Sequence, residues 1–141
     1  DMNTVEPAIG AQRMDKVYAW KSMLDMGIHT SGGSDAPVVS FDAMENIYFA
    51  VTRKNISGQP QEGWIPSEKI SVDEAVKLFT KNAAYASYTE DENGTIEVGK
   101  NADFVVLEKN IYEIDPDEIK ATKVDMTVLG GEIVYERKVE E

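Results

Sequence analysis

The chain has no cysteine. Disulfides, thiolate nucleophiles and cysteine-ligated metal are excluded, and the composition suits a reducing compartment; we expect a cytoplasmic protein. Histidine is almost as scarce, His29 being the only one. No apolar run approaches the ~20 residues that a membrane-spanning helix needs. The first residues also lack the charged-then-apolar layout of a signal peptide. Basic residues are outnumbered, 14 against 26 acidic, which leaves a formal net charge of -12. A surface of that sign repels phosphate backbones and anionic lipid, so neither nucleic acid nor membrane is an expected partner. Its plain reading is solubility.

What is present is enough for a core. A chain of 141 residues with 42% apolar side chains fits one folded domain of ordinary size. It opens on Asp1 rather than methionine, which reads as a cut from a longer chain or as one residue left ahead of Met2. Residues 1–11 show no clear period and are expected to be loop or frayed end. From residue 12 to 26, Met14, Val17, Tyr18, Trp20, Met23 and Leu24 follow helical spacing, and Gly27 stands where a left-handed C-cap belongs.

Residues 27–37 are the stretch on which the rest depends. A short apolar strand over 28–31 runs into the pair Gly32-Gly33, then Ser34, Asp35, Ala36 and Pro37. The glycines permit backbone geometries closed to other residues, and the proline keeps a helix from starting early. Asp35 is thereby presented at the carboxyl end of a strand, where α/β enzymes keep their working groups. Ordinary turns show the same local pattern, because aspartate bonds its own backbone.

Beyond Pro37 the spacing predicts a helix over 41–52, with Ser40 as N-cap and Met44, Ile47, Tyr48 and Val51 facing inward. Arg53 follows at its negative end, placed to steady the dipole or to hold a substrate anion. Residues 55–66 form a polar loop whose Trp64 is either a lid touching ligand or an anchor onto the core. Ser71 and Glu74 form a capping box for a helix running to about residue 87. Glu90-Asp91-Glu92-Asn93 lacks the alternate spacing of a calcium loop and reads as a solvated turn. After Gly94 the period shortens from 3.6 to 2, giving strands over 103–107 and 124–128. A Gly130-Gly131 hairpin leads into a third strand over 132–135, and residues 115–119 form one capped helical turn between them.

Together these pieces resemble the metal-dependent amidohydrolase superfamily. Gly33-Ser34-Asp35-Ala36-Pro37-Val38 resembles its last-strand motif, and the run from Gly94 through Gly99-Lys100-Asn101-Ala102-Asp103 to Leu107 resembles the entry to its small β-sandwich. Between them, Ser71, Glu74-Ala75 and Thr80-Lys81-Asn82-Ala83-Ala84 match the helical region that the family places there. The branch that includes N-substituted formamide deformylases is the best match. The resemblance implies an α/β fold: the C-terminal part of a (β/α)₈ barrel over 1–90, then strands of a composite β-sandwich over 91–141. It implies a hydrolase of non-peptide C–N bonds acting on a small amide-type substrate. Asp35 would be both metal ligand and proton shuttle, the metal being zinc in the intact protein.

Ser34 and Pro37 would then shape the substrate-side loop, with Arg53 and Trp64 as further substrate-side candidates. The family's His-x-His pair and its other histidines have no counterpart here, and His29 matches no ligand position. One aspartate cannot hold a zinc that wants three protein ligands. The expectation is therefore a fragment, inactive and metal-free alone, folded on its own core or paired as a homodimer. The alternative is a binding or assembly module that keeps the scaffold without the chemistry.

Overall fold

A computed structural model describes residues 2–138; Asp1 and residues 139–141, at which the two expected portions begin and end, lie outside it. Helices fill the first two thirds and a small antiparallel sheet the last third. The helices are α1 (Met2–Ile9), α2 (Trp20–Asp25), α3 (Ala43–Thr52), α4 (Val72–Phe79) and α5 (Lys81–Ala86). The strands are β1 (Phe104–Leu107), β2 (Val124–Leu129) and β3 (Glu132–Glu136), with 3₁₀ turns at Ala11–Lys16, Pro66–Glu68 and Pro116–Ala121.

α3 is the central element. Its Met44, Ile47, Tyr48 and Ala50 pack against Ile70, against Ala75 and Leu78 of α4, and against Ile111 and Ile119 from the sheet half. Tyr48 and Ile119 are fully buried, which stabilises the fold by about 1.5–3 kcal/mol for each such side chain. The Tyr48 hydroxyl donates to the Asn55 carbonyl at 3.0 Å, so this buried phenol is satisfied. The Lys120 ammonium lies 4.6 Å over the Tyr48 ring and donates to the Ile56 carbonyl at 2.7 Å, tying the sheet half to the loop after α3.

α3 begins at Asp42, not at Ser40. The Asp42 carboxylate accepts from the Met44 and Glu45 amides at 2.8 and 3.4 Å, while the Ser40 hydroxyl accepts from the Asp42 amide at 3.2 Å. A carboxylate beside the positive end of the helix wins that place over a hydroxyl two residues earlier. The Ser71/Glu74 capping box is present as expected.

Three elements depart from the periodicity. Residues 2–9 are helical despite Pro7. The helix expected over 12–26 is broken by Tyr18, whose φ of 47° no helix accommodates. The helix expected from Ser71 to 87 is interrupted at Thr80, with φ -126° and ψ -95°.

The sheet order is β1-β2-β3, all antiparallel. Phe104 pairs with Val128 and Val106 with Met126, and a shift in register before Leu107 bends β1. The β2–β3 turn is Gly130-Gly131 at φ 58° and 84°, a conformation that favours glycine at both places. The turn at Glu90-Asp91-Glu92-Asn93 is closed from within: the Lys100 ammonium donates to the Glu90 carbonyl at 2.6 Å, and the Asn101 amide to Asn93 Oδ1 at 3.0 Å.

Candidate active site around Asp35

α2 ends in a Schellman motif that aims the chain toward Asp35. The Gly27 amide donates to Leu24 and the Ile28 amide to Met23, at 2.9 and 3.0 Å, with Gly27 left-handed at φ 74°. The segment that follows pairs with no described strand, so the expected strand over 28–31 is not in the sheet. It lies instead against α4 and α5. The Gly32 amide donates to the Leu78 carbonyl at 2.9 Å, and Asn82 Nδ2 to the Thr30 carbonyl at 2.9 Å. His29 stacks on Tyr85 with ring centroids 4.2 Å apart and planes 20° from parallel.

The glycine pair serves a different purpose from the one its sequence suggests. A Cβ on Gly32 would lie 2.8 Å from the Phe79 ring, so Gly32 is there for close approach. The left-handed backbone falls two residues beyond the pair, at Asp35 itself, with φ 51°. Aspartate tolerates that region better than most residues. A turn over residues 35–38 is closed by the Val38 amide donating to the Asp35 carbonyl at 2.9 Å. This turn brings half-buried Ser34, exposed Asp35 and exposed Pro37 together. No hydrogen bond or ion pair to the Asp35 carboxylate is found among the described residues, which leaves the group available for a ligand.

Arg53 and Trp64 sit together in another cluster. Arg53 ends α3 in a left-handed conformation at φ 58° and is only 5% exposed. Its Nε donates to the Trp64 carbonyl at 2.8 Å, Nη1 to Tyr18 at 2.8 Å and Nη2 to Val17 at 3.4 Å. The guanidinium carbon lies 4.9 Å from the Trp20 ring centre and 5.4 Å from that of Trp64. Burial lowers the Arg53 pKa, while Glu68 and Tyr18 act to raise it. Glu68, also 5% exposed, accepts from the Ser22 amide at 2.9 Å and from the Ser22 hydroxyl. Burial acts to raise its pKa, but the bonds from Ser22 and the Lys21 amide, with the charge of Arg53, bring it below the ordinary glutamate value. This cluster fastens the residues before α2 and the 3₁₀ turn at Pro66–Glu68 to the end of α3. Sequence reasoning passed over Glu68, and it named Gly32 and Asn82 without their contacts, since the partners of all three are 46 to 52 residues away in the chain.

Among the described residues, no three His, Cys, Asp or Glu side chains come together to hold a metal ion. A catalytic zinc takes three protein ligands and a water. The described donor set therefore does not fit that ion; Asp35 can offer one carboxylate toward it.

The profile of the amidohydrolase family matches residues 1–135. The protein YtcJ of Bacillus subtilis, whose name places it among the amidohydrolases, is 38% identical over 137 residues, 97% of this chain and 26% of YtcJ. The N-substituted formamide deformylase of Arthrobacter pascens is 35% identical over 122 residues, 86% of this chain and 22% of the enzyme. The crystal structure of an amidohydrolase from Thermotoga maritima superposes on 85% of this chain and 26% of its own, with a TM-score of 0.64 at 21% identity. The chain thus spans about a quarter of the length of the curated relatives it matches. By the profile match over nearly its whole length, it belongs to the amidohydrolase family.

Proposed function

We propose that this chain is the C-terminal part of a metal-dependent hydrolase of non-peptide C–N bonds, and that Asp35 is its catalytic carboxylate. The observation that carries the reading is the Asp35 turn: an exposed carboxylate, without a partner among the described residues, at φ 51° on a segment fixed to α4 and α5. Residues 1–90 are read as barrel elements and 91–141 as sandwich strands; the helices of the first part and the antiparallel sheet of the second support this. The substrate class is a small amide, by similarity to the deformylase.

A divalent metal, zinc by the family resemblance, would lower the pKa of the attacking water. Asp35 is the one ligand proposed from this chain, so the chain alone is expected to be inactive. The carboxylate accepts a proton from the attacking water as oxygen bonds to the carbonyl carbon. It returns that proton to the nitrogen as the C–N bond breaks. Ser34 and Pro37 line the approach. Arg53 and Trp64 hold the fold in their separate cluster, because the Arg53 guanidinium is already engaged by the Trp64, Tyr18 and Val17 carbonyls and by the Trp20 and Trp64 rings.

The test is turnover of an N-substituted formamide by the longest product of the coding sequence, wild type against Asp35→Asn. A loss of about 10³-fold in kcat with KM little changed is expected for removal of a general acid–base. Equal turnover would remove Asp35 from the mechanism.

A further inference from the structure

We infer that Asn82 is a positioning residue for Asp35, acting through the carbonyl of Thr30; its meaning for catalysis rests on the reading of Asp35 just given. The Thr30 carbonyl and the Gly32 amide flank Ser31 on one side of an extended segment. They are the pair of groups that a parallel neighbouring strand would take up. Here no described strand does so. The Asn82 side chain supplies the donor at 2.9 Å and the Leu78 carbonyl the acceptor at 2.9 Å. The Asn82 amide donor and the Leu78 carbonyl thus stand in together for the N–H and C=O of a neighbouring strand.

The replacement is local and rigid. Gly32 lies against the Phe79 ring so closely that a Cβ would require the ring to move, which sets the depth of the segment. Tyr85 stands three residues after Asn82 on the same face of α5 and stacks on His29, which fixes the near end. Only Gly33 and Ser34 separate this clamp from Asp35. Nothing lies within 4 Å of where a Gly33 Cβ would be, so Gly33 adds no hold of its own. The clamp is therefore the fixed point upstream of the Asp35 turn, and among the described residues Asn82 is the side chain whose hydrogen bond ties the segment to α5. Removing it frees the Thr30 carbonyl and lets the turn at residues 35–38 open.

Amide hydrogen exchange on the chain tests this, comparing wild type with Asn82→Ala and Asn82→Asp. The Asp variant keeps the volume and loses the donor, and it answers alone if the Ala variant does not fold. Gly32 and Val38 report the clamp and the turn; Val128 in β2 reports the rest of the molecule. Exchange at Gly32 and Val38 should quicken about tenfold, one hydrogen bond's worth, with Val128 unchanged. An unchanged Val38, or equal acceleration of all three, overturns the inference, the latter because it marks general loss of stability. Metal and substrate play no part in this readout. Failure here leaves the proposed role of Asp35 standing, whereas turnover retained by Asp35→Asn removes that role and leaves the clamp as geometry.

Discussion

At the scale of single residues, the two buried charges show how this chain keeps ions out of water without a direct pair. Arg53 satisfies its fork on three main-chain carbonyls and lies against two indole rings. Its left-handed backbone costs about 1–2 kcal/mol, which the charge-assisted bonds offset. Glu68 is the titratable half. Its folded pKa lies below the ordinary glutamate value because the Ser22 and Lys21 donors and Arg53 outweigh burial. A depressed carboxyl stabilises the fold above its unfolded pKa of ~4.3, and that stabilisation is lost as pH falls through the folded value. Glu68→Gln should therefore lower the urea midpoint at pH 7 and lower it less at pH 3, where the wild type has lost part of the same contribution. An equal drop at both pH values would assign the effect to packing instead.

At the scale of elements, close approach of backbone to backbone decides more than propensity does. Gly63 has φ 82°, and a Cβ there would lie 2.4 Å from the Thr52 carbonyl oxygen. Gly33 has open space around it and no such backbone. Gly63→Ala should cost about 2–4 kcal/mol in chemical denaturation, whereas Gly33→Ala should stay within about 0.5 kcal/mol. Comparable losses would mean that the loop after α3 yields easily. The same contrast explains what could be read in advance. Signals spanning a few residues were readable: the Ser71/Glu74 box, the Gly27 cap, the Gly130-Gly131 hairpin and the three strands. Asp35 too was singled out by its immediate neighbours. The break at Tyr18 was hidden, because Arg53, 35 residues away, accounts for it by holding the Tyr18 carbonyl. The contacts of residues 28–32 with α4 and α5 were hidden for the same reason, since Asn82 and Phe79 act across the fold.

At the scale of the whole molecule, an exposed apolar sheet is set against a strong like charge. β1 and β3 are the outer strands of the three. β3 is exposed along its length, with Ile133 and Val134 at 56% and 58%, and these neighbours point to opposite faces. A sheet with apolar side chains on both faces and unpaired edges favours contact with further strands. The charge of -12 opposes contact between two copies. At about 10 mM salt the screening length is ~30 Å and repulsion reaches across a whole domain, whereas at about 1 M it shrinks to ~3 Å. Sedimentation velocity should therefore show a monomer at low ionic strength and concentration-dependent pairing at high. Val134→Lys, which puts a charge on the sheet without touching the core around Tyr48, should abolish the pairing and leave the monomer folded. A sedimentation coefficient indifferent to salt would mean that the sheet is not the surface through which copies meet. If pairing persists in the lysine variant, the contact lies on the helical side, where Tyr88, Phe41 and, in the Asp35 turn, Val38 are strongly exposed apolar groups.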